Sequence, residues 1–305
     1  MPSAIEEPNS NAAPGGDSAA HVDRVLPLLS GQRFQYTGTA AEVIDRLQSL
    51  RHVDALYTQK EKFWERCIWW SVPLFFLALF SAFVTAGMGL WVAVPMFFLM
   101  VLCITMRIVR GRHNFPDRRY RIAERLLQHL KADIPPNAPV SVALDFRHYH
   151  TRRLRTNAQS MGFFSGIKVL NYEVPWLTMS SQLYDGSKFR FKIVQCVKRK
   201  EKAKRKRTKV TETFRDKYTL SLAVKPTRYP GLAKFESVIK TATPPQGLSA
   251  PHGKLLGNRV SVQSLTRPQR NTSLVNVDLE RFQDAHSALQ LFLCCYHGLG
   301  QCRQA

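Results

Sequence analysis

The chain has 305 residues, 45% of them apolar, and it carries 44 Lys and Arg against 22 Asp and Glu, a formal net charge of +22. That length holds one sizeable domain or two modest ones, and the apolar content is that of a folded protein rather than a wholly disordered one. The six cysteines, at 67, 103, 196, 294, 295 and 302, form no CxxC pair and share no regular spacing, which argues for reduced thiols and against a disulfide framework.

The charge is unevenly spread. Residues 1–106 hold 7 basic and 9 acidic groups, whereas residues 107–305 hold 37 and 13. A part this basic repels itself and calls for an anionic partner: phospholipid headgroups, nucleic acid or an acidic protein.

Residues 1–38 begin with an acidic, Pro-, Gly- and Ala-rich stretch without the basic-then-apolar order of a signal peptide, and read as a disordered tail. Residues 39–66 read as an amphipathic helix. Thr39 followed by Glu42 forms a capping box, and Val43, Leu47, Leu50, Val53 and Tyr57 recur at steps of three and four.

From Cys67 to Met106 there is no charged residue. One helix through about 30 Å of hydrocarbon needs about 20 residues, so this block suits two spans, 67–85 and 89–106, turned at "TAGMG". Lys60, Lys62 and Arg66 precede the first span, and Arg107, Arg110 and Arg112 follow the second. The positive-inside rule then places both termini on the cytoplasmic side of an integral, multi-pass protein. The spans contain no ionisable side chain other than cysteine, so they read as an anchor rather than a proton or ion path.

Residues 107–134 read as a basic helix beside the membrane. Pro116 opens it, and Ile122, Ala123, Leu126, Leu127 and Leu130 mark its apolar face. Its stripe suits packing on the first helix or contact with headgroups equally. Pro135–Pro139 is a linker, after which the periodicity changes to two. Strands are expected in "VSVALDF", "IKVLNYEV", "WLTMSSQL", "SKFRFKIVQCV", "KVTETF", "YTLSLAV" and "RVSVQSL", with a hairpin turn at Asp185-Gly186. A last helix is expected from about Asp278 to His297, stopped by Gly298. The fold class is thus a two-helix transmembrane hairpin plus a cytoplasmic α+β domain, residues 135–305, with an antiparallel sheet and a C-terminal helix.

The run "KRKEKAKRKRTK" stands out within that domain. It places Lys198, Arg199, Lys200, Lys202, Lys204, Arg205, Lys206, Arg207 and Lys209 beside a single acid, Glu201. Lying between two strand candidates, residues 198–209 read as a basic finger, either the tip of a long hairpin or a loop. Near an anionic leaflet each such charge contributes about 1 kcal/mol. The nine residues are therefore the candidate lipid- or phosphate-binding site, with Arg107 to Arg125 and Arg152 to Arg155 extending the surface. Nucleic acid is the rival ligand, but the run interleaves no aromatic side chain for base stacking. The bland alternative is a solvated loop that discourages edge aggregation.

Catalytic motifs are missing. "GLSAPHGKL" has the wrong spacing for a phosphate loop, and "GFFSG" is not a nucleophile elbow. His148 with His150 stands among arginines that oppose a metal cation, and Cys294, Cys295, His297 and Cys302 are irregularly spaced for a ligand set. The "NTS" at Asn271 is a chance glycosylation match for a cytoplasmic domain. No cofactor or metal is expected. The reading is a non-enzymatic, membrane-anchored protein whose basic domain docks on anionic headgroups or an acidic partner. The alternatives are a membrane-tethered nucleic-acid binder, an apolar-lined oligomeric pore, and an enzyme without a local motif.

Overall fold

Apolar and polar residues alternate over 188–193 and 217–222, and the strands run on beyond these stretches to 16 residues each: β5 (Ile167–Gln182), β6 (Lys188–Ala203) and β7 (Thr208–Ala223). At about 3.3 Å per residue each is about 50 Å long, well beyond the usual strand. The segments "IKVLNYEV" and "WLTMSSQL" are one strand, because Pro175 falls at a bulge where the register shifts between Pro175 and Leu177 and no ladder donor is required. The computed structural model describes residues 29–30, 32–84, 90–111, 117–147, 149, 154–161, 167–203, 208–244, 248–272 and 283–304.

The chain divides into two compact units. The sheet unit is Leu28–Gln48 with Phe115–Ala305, and the other holds Ser49–Asn114. In the sheet unit the strands β1 (Leu29–Ser30), β2 (Arg33–Gly38), β3 (Val140–Asp145), β8 (His252–Leu256) and β9 (Arg259–Leu265) join the long three in the order β1-β2-β3-β5-β6-β7-β9-β8, all antiparallel. Two more, β4 (Arg155–Met161) and β10 (Gln269–Thr272), pair with the far ends of β5 and β7. The sheet thus has a proximal half beside the Asp185-Gly186 turn and a distal half toward the β6–β7 tip. At the turn Gly186 adopts φ +80, where a side chain would be strained, and the Asp185 carboxylate accepts from the Ser187 amide at 2.8 Å.

β2 corrects the expectation of a tail through residue 38, since Arg33–Gly38 pairs along β3 and Phe34 is fully buried. The first helix, α1 (Ala40–Val84), begins in this unit and continues through the other. Its capping box is formed: the Thr39 amide donates to Glu42 at 3.0 Å, and the Glu42 amide to Thr39 Oγ1 at 3.3 Å.

Helices α3 (Asp117–Leu130), α4 (Phe235–Thr241) and α5 (Gln283–Gln304) serve one face of the sheet. The stripe of α3 packs against α5 and β5, so its apolar residues are consumed inside the unit. Phe292 of α5 stands 5.4 Å from Phe191 and 5.7 Å from Phe189, ring centre to ring centre, at the heart of the proximal core. The last helix does not stop at Gly298. It runs to Gln304, because the missing Cβ lets α5 approach α4: a Cβ there would stand 2.8 Å from Ile239.

The unit of Ser49–Asn114 contains the rest of α1 and helix α2 (Leu90–Gly111), which meet at Phe75 and Phe97, 6.0 Å between ring centres. Here the expectation of two spans is corrected: among the described residues no helix is long and apolar enough to cross a membrane. The integral, multi-pass placement with both termini cytoplasmic rested on those spans and falls with them. The expected turn at 85–89 lies outside the described residues. The apolar surface itself is real: Trp69, Trp70, Phe76, Leu77, Phe80 and Phe98 are each more than 60% exposed.

Candidate functional site

Paired residues in an antiparallel ladder share a face, so the register of β5, β6 and β7 sorts every side chain. Phe189, Phe191, Ile193 and Val197 of β6 pair with Leu222, Leu220, Tyr218 and Phe214 of β7 and point inward. The intervening residues point outward: Lys188, Arg190, Lys192, Val194, Cys196, Lys198, Lys200 and Lys202. One strand therefore lays six cations along one surface over about 46 Å. Lys209, Arg215 and Lys217 of β7 stand on the same surface, with Arg259 of β9 and Lys254 of β8 further out.

Acids are scarce on that face. Among the described strand residues only Glu173 and Asp145 lie there, and Asp145 is already engaged. Arg147 Nη2 donates to Asp145 Oδ2 at 2.6 Å, its Nε to Oδ1 at 2.9 Å, and Arg33 Nε to Oδ2 at 3.3 Å. Burial alone would raise the Asp145 carboxyl, but the hydrogen bonds and charge of Arg147, with the charge of Arg33, outweigh it and hold the group below its usual range. Neutral neighbours of the cations are hydroxyls and amides, among them Thr178 and Ser180 on β5 and Thr219 and Ser221 on β7. No aromatic side chain of β5, β6, β7 or β9 points outward.

The expected site is divided by this geometry. Lys198, Lys200, Lys202 and Lys209 reach the outer face and are exposed. Lys204, Arg205, Lys206 and Arg207 lie outside the described residues. Arg199 is turned inward. Its Nε stands 2.8 Å from Glu201 and its Nη1 3.8 Å from Glu212, with all three side chains less than a third exposed. Tyr149 packs on Tyr172 and Phe214 above this group, 5.7 and 5.8 Å between ring centres. Burial, then the hydrogen bond and charge of Glu212, push its phenol above the usual range. Arg199 is therefore part of a polar inner layer and not of the docking surface.

The wider basic surface is also redistributed. Arg119 donates to the Asp145 carbonyl and lies 6.0 Å from the Trp176 ring centre. Arg155 pairs opposite Tyr172, on the inner side. Arg152 and Arg153 lie outside the described residues, and so do the side chains of Arg107, Arg110 and Arg112. The residues missed are Lys188, Arg190, Lys192, Arg215 and Lys217. Arg190 and Lys192 show the outward alternation in sequence, and carrying the period of two back to 188 and on through 208–217 would have found the others.

A cleft of about 700 Å³ beside α4 and α5 is lined by Thr241, Gln290, Cys294 and His297 among others. Burial pushes the Cys294 thiol up, away from the thiolate a nucleophile or metal ligand needs. Cys295 and Cys302 are buried in the core instead. Among the described residues no three His, Cys, Asp or Glu side chains could hold a metal ion, and His148 and His150 lie outside them. Asn271 of the glycosylation match pairs opposite Glu212 in β10. Comparison with known proteins finds no match to a family model, a curated protein or a solved structure.

Proposed function

We propose that the chain is a docking protein whose outer sheet face binds anionic lipid headgroups. The observation that carries this reading is the row of six Lys and Arg on the outer side of β6, flanked by Lys209, Arg215 and Lys217 of β7 and almost free of acids. Nine charges at about 1 kcal/mol each near an anionic leaflet supply several kcal/mol after screening by salt. A broad sheet face meets many headgroups at once. The missing aromatics count against single-stranded nucleic acid, which stacks its bases on such platforms.

The test is co-sedimentation of the full chain with neutral and anionic vesicles across a salt series, with duplex and single-stranded DNA as competitors. The variant replaces Lys198, Lys200, Lys202 and Lys209 by Gln. Wild type should require anionic lipid and resist DNA, and the variant should bind about a hundredfold more weakly. DNA that strips the protein from vesicles would instead make it a nucleic-acid binder. Equal binding by variant and wild type would remove the outer face from the argument.

A further inference from the structure

The six outward cations of β6 fall into two triads, separated by Val194 and Cys196, and the triads have different surroundings. In the distal triad Lys198 lies between Asn171 and Thr213, Lys200 between Val169 and Thr211, and Lys202 between Ile167 and another cation, Lys209, so none of the three has a hydroxyl on both sides. In the proximal triad Lys188 lies between Gln182 and Ala223, and the other two cations have a hydroxyl on each side. Arg190 sits between Ser180 on β5 and Ser221 on β7, and Lys192 between Thr178 and Thr219. Ser221 is itself hydrogen-bonded to Ser261 of β9 at 3.3 Å, which extends the hydroxyl row by one strand. Arg190 is the single guanidinium in the two triads, and it is exposed.

We infer that the proximal triad is a selective subsite for a lipid headgroup built on a polyol ring that bears two or more phosphate monoesters. This rests on the reading of the outer face as a lipid-docking surface. Three features point to that class. A monoester phosphate carries about −1.5 to −2 charges and three acceptor oxygens, so neighbouring cations are better matched to it than to a singly charged headgroup. A guanidinium engages phosphate through two parallel hydrogen bonds, which an ammonium cannot do. The ladder places a hydroxyl about 5 Å to each side of Arg190 and Lys192, and the next cation about 7 Å along the strand. That grid offers alternating charge and neutral hydrogen bonds on the scale of a phosphorylated ring with free hydroxyls. The distal triad has hydroxyls on its β7 side only and no guanidinium, and it supplies general attraction to any anionic surface.

The experiment compares the full chain on two vesicle types matched for total charge, phosphatidylcholine with phosphatidylserine and phosphatidylcholine with phosphatidylinositol bisphosphate. Soluble inositol hexakisphosphate is titrated separately. Wild type should prefer the bisphosphate vesicles about tenfold, the worth of one charge-assisted hydrogen-bonded fork. Arg190→Lys keeps the charge and should lose most of that preference, read as the ratio of its affinities for the two vesicle types. Lys200→Gln should weaken binding to both. Equal binding of wild type to the two vesicle types overturns the inference and leaves the docking reading intact. Binding to neither overturns both. Binding of the soluble hexakisphosphate without any preference between the vesicles would assign the subsite to a free ligand and overturn the lipid source.

Discussion

The proximal and distal halves of β6 keep the same alternation but bury different chemistry. Near the Asp185-Gly186 turn the inner side chains are Phe189, Phe191 and Ile193, closed over by Phe292 of α5. Near the tip they are Val197, Arg199 and Glu201, under Tyr149 and beside Glu212. Apolar burial dominates the first, and those three side chains carry no titratable group. The second contains charges whose burial is tolerable only because each has a partner. Strand pairing with a period of two does not require an apolar inner face. It requires only that whatever turns inward be satisfied.

The largest expected effect that tests this contrast is at the proximal end. Phe191→Ala removes a fully buried ring from the centre of the core and should cost about 3–5 kcal/mol, read as a fall in the urea midpoint. A loss below about 1 kcal/mol, the size of an ordinary substitution, would mean that α5 is not closing the core as described.

A smaller effect is expected at the distal end. Arg199→Ala leaves Glu201 and Glu212 partly buried without their cation and should cost about 1–2 kcal/mol, while vesicle binding changes little. Its neighbour in sequence provides the control, since Lys200→Gln should alter stability by no more than about 0.5 kcal/mol and weaken vesicle binding. If the two variants exchanged these signatures, the assignment of faces would be wrong.

The smallest effect concerns the proximal edge. The Asp145 carboxyl is held below its ordinary value of 3.8 in the folded chain, so it contributes stability above that value, and the contribution is lost as pH falls through the unfolded and then the folded pKa. Asp145→Asn should therefore shrink the difference in urea midpoint between pH 7 and pH 3. An unchanged difference would show that Arg147 and Arg33 do not hold the carboxyl.

Some of this was legible in the residues. Thr39 and Glu42 announce their cap, Asp185-Gly186 its turn, and Phe189, Phe191 and Ile193 their inward face, because each depends on neighbours within a few positions. The basic run was harder. Nine cations with a single acid read as one surface, and nothing local reveals that Arg199 faces Glu212, thirteen positions away, across the ladder. Gly298 misled for a related reason: glycine stops many helices, but here it serves the approach of α5 to Ile239, a residue of another element.

By itself the sequence determined the alternation, the turn, the cap, the apolar block and the excess of positive charge. These follow from composition and from contacts spanning a few residues. Only the tertiary structure decided which cations share a face and which one is spent on holding the sheet together. Those outcomes depend on strand register and on pairings between distant positions, which a linear reading of the chain does not contain.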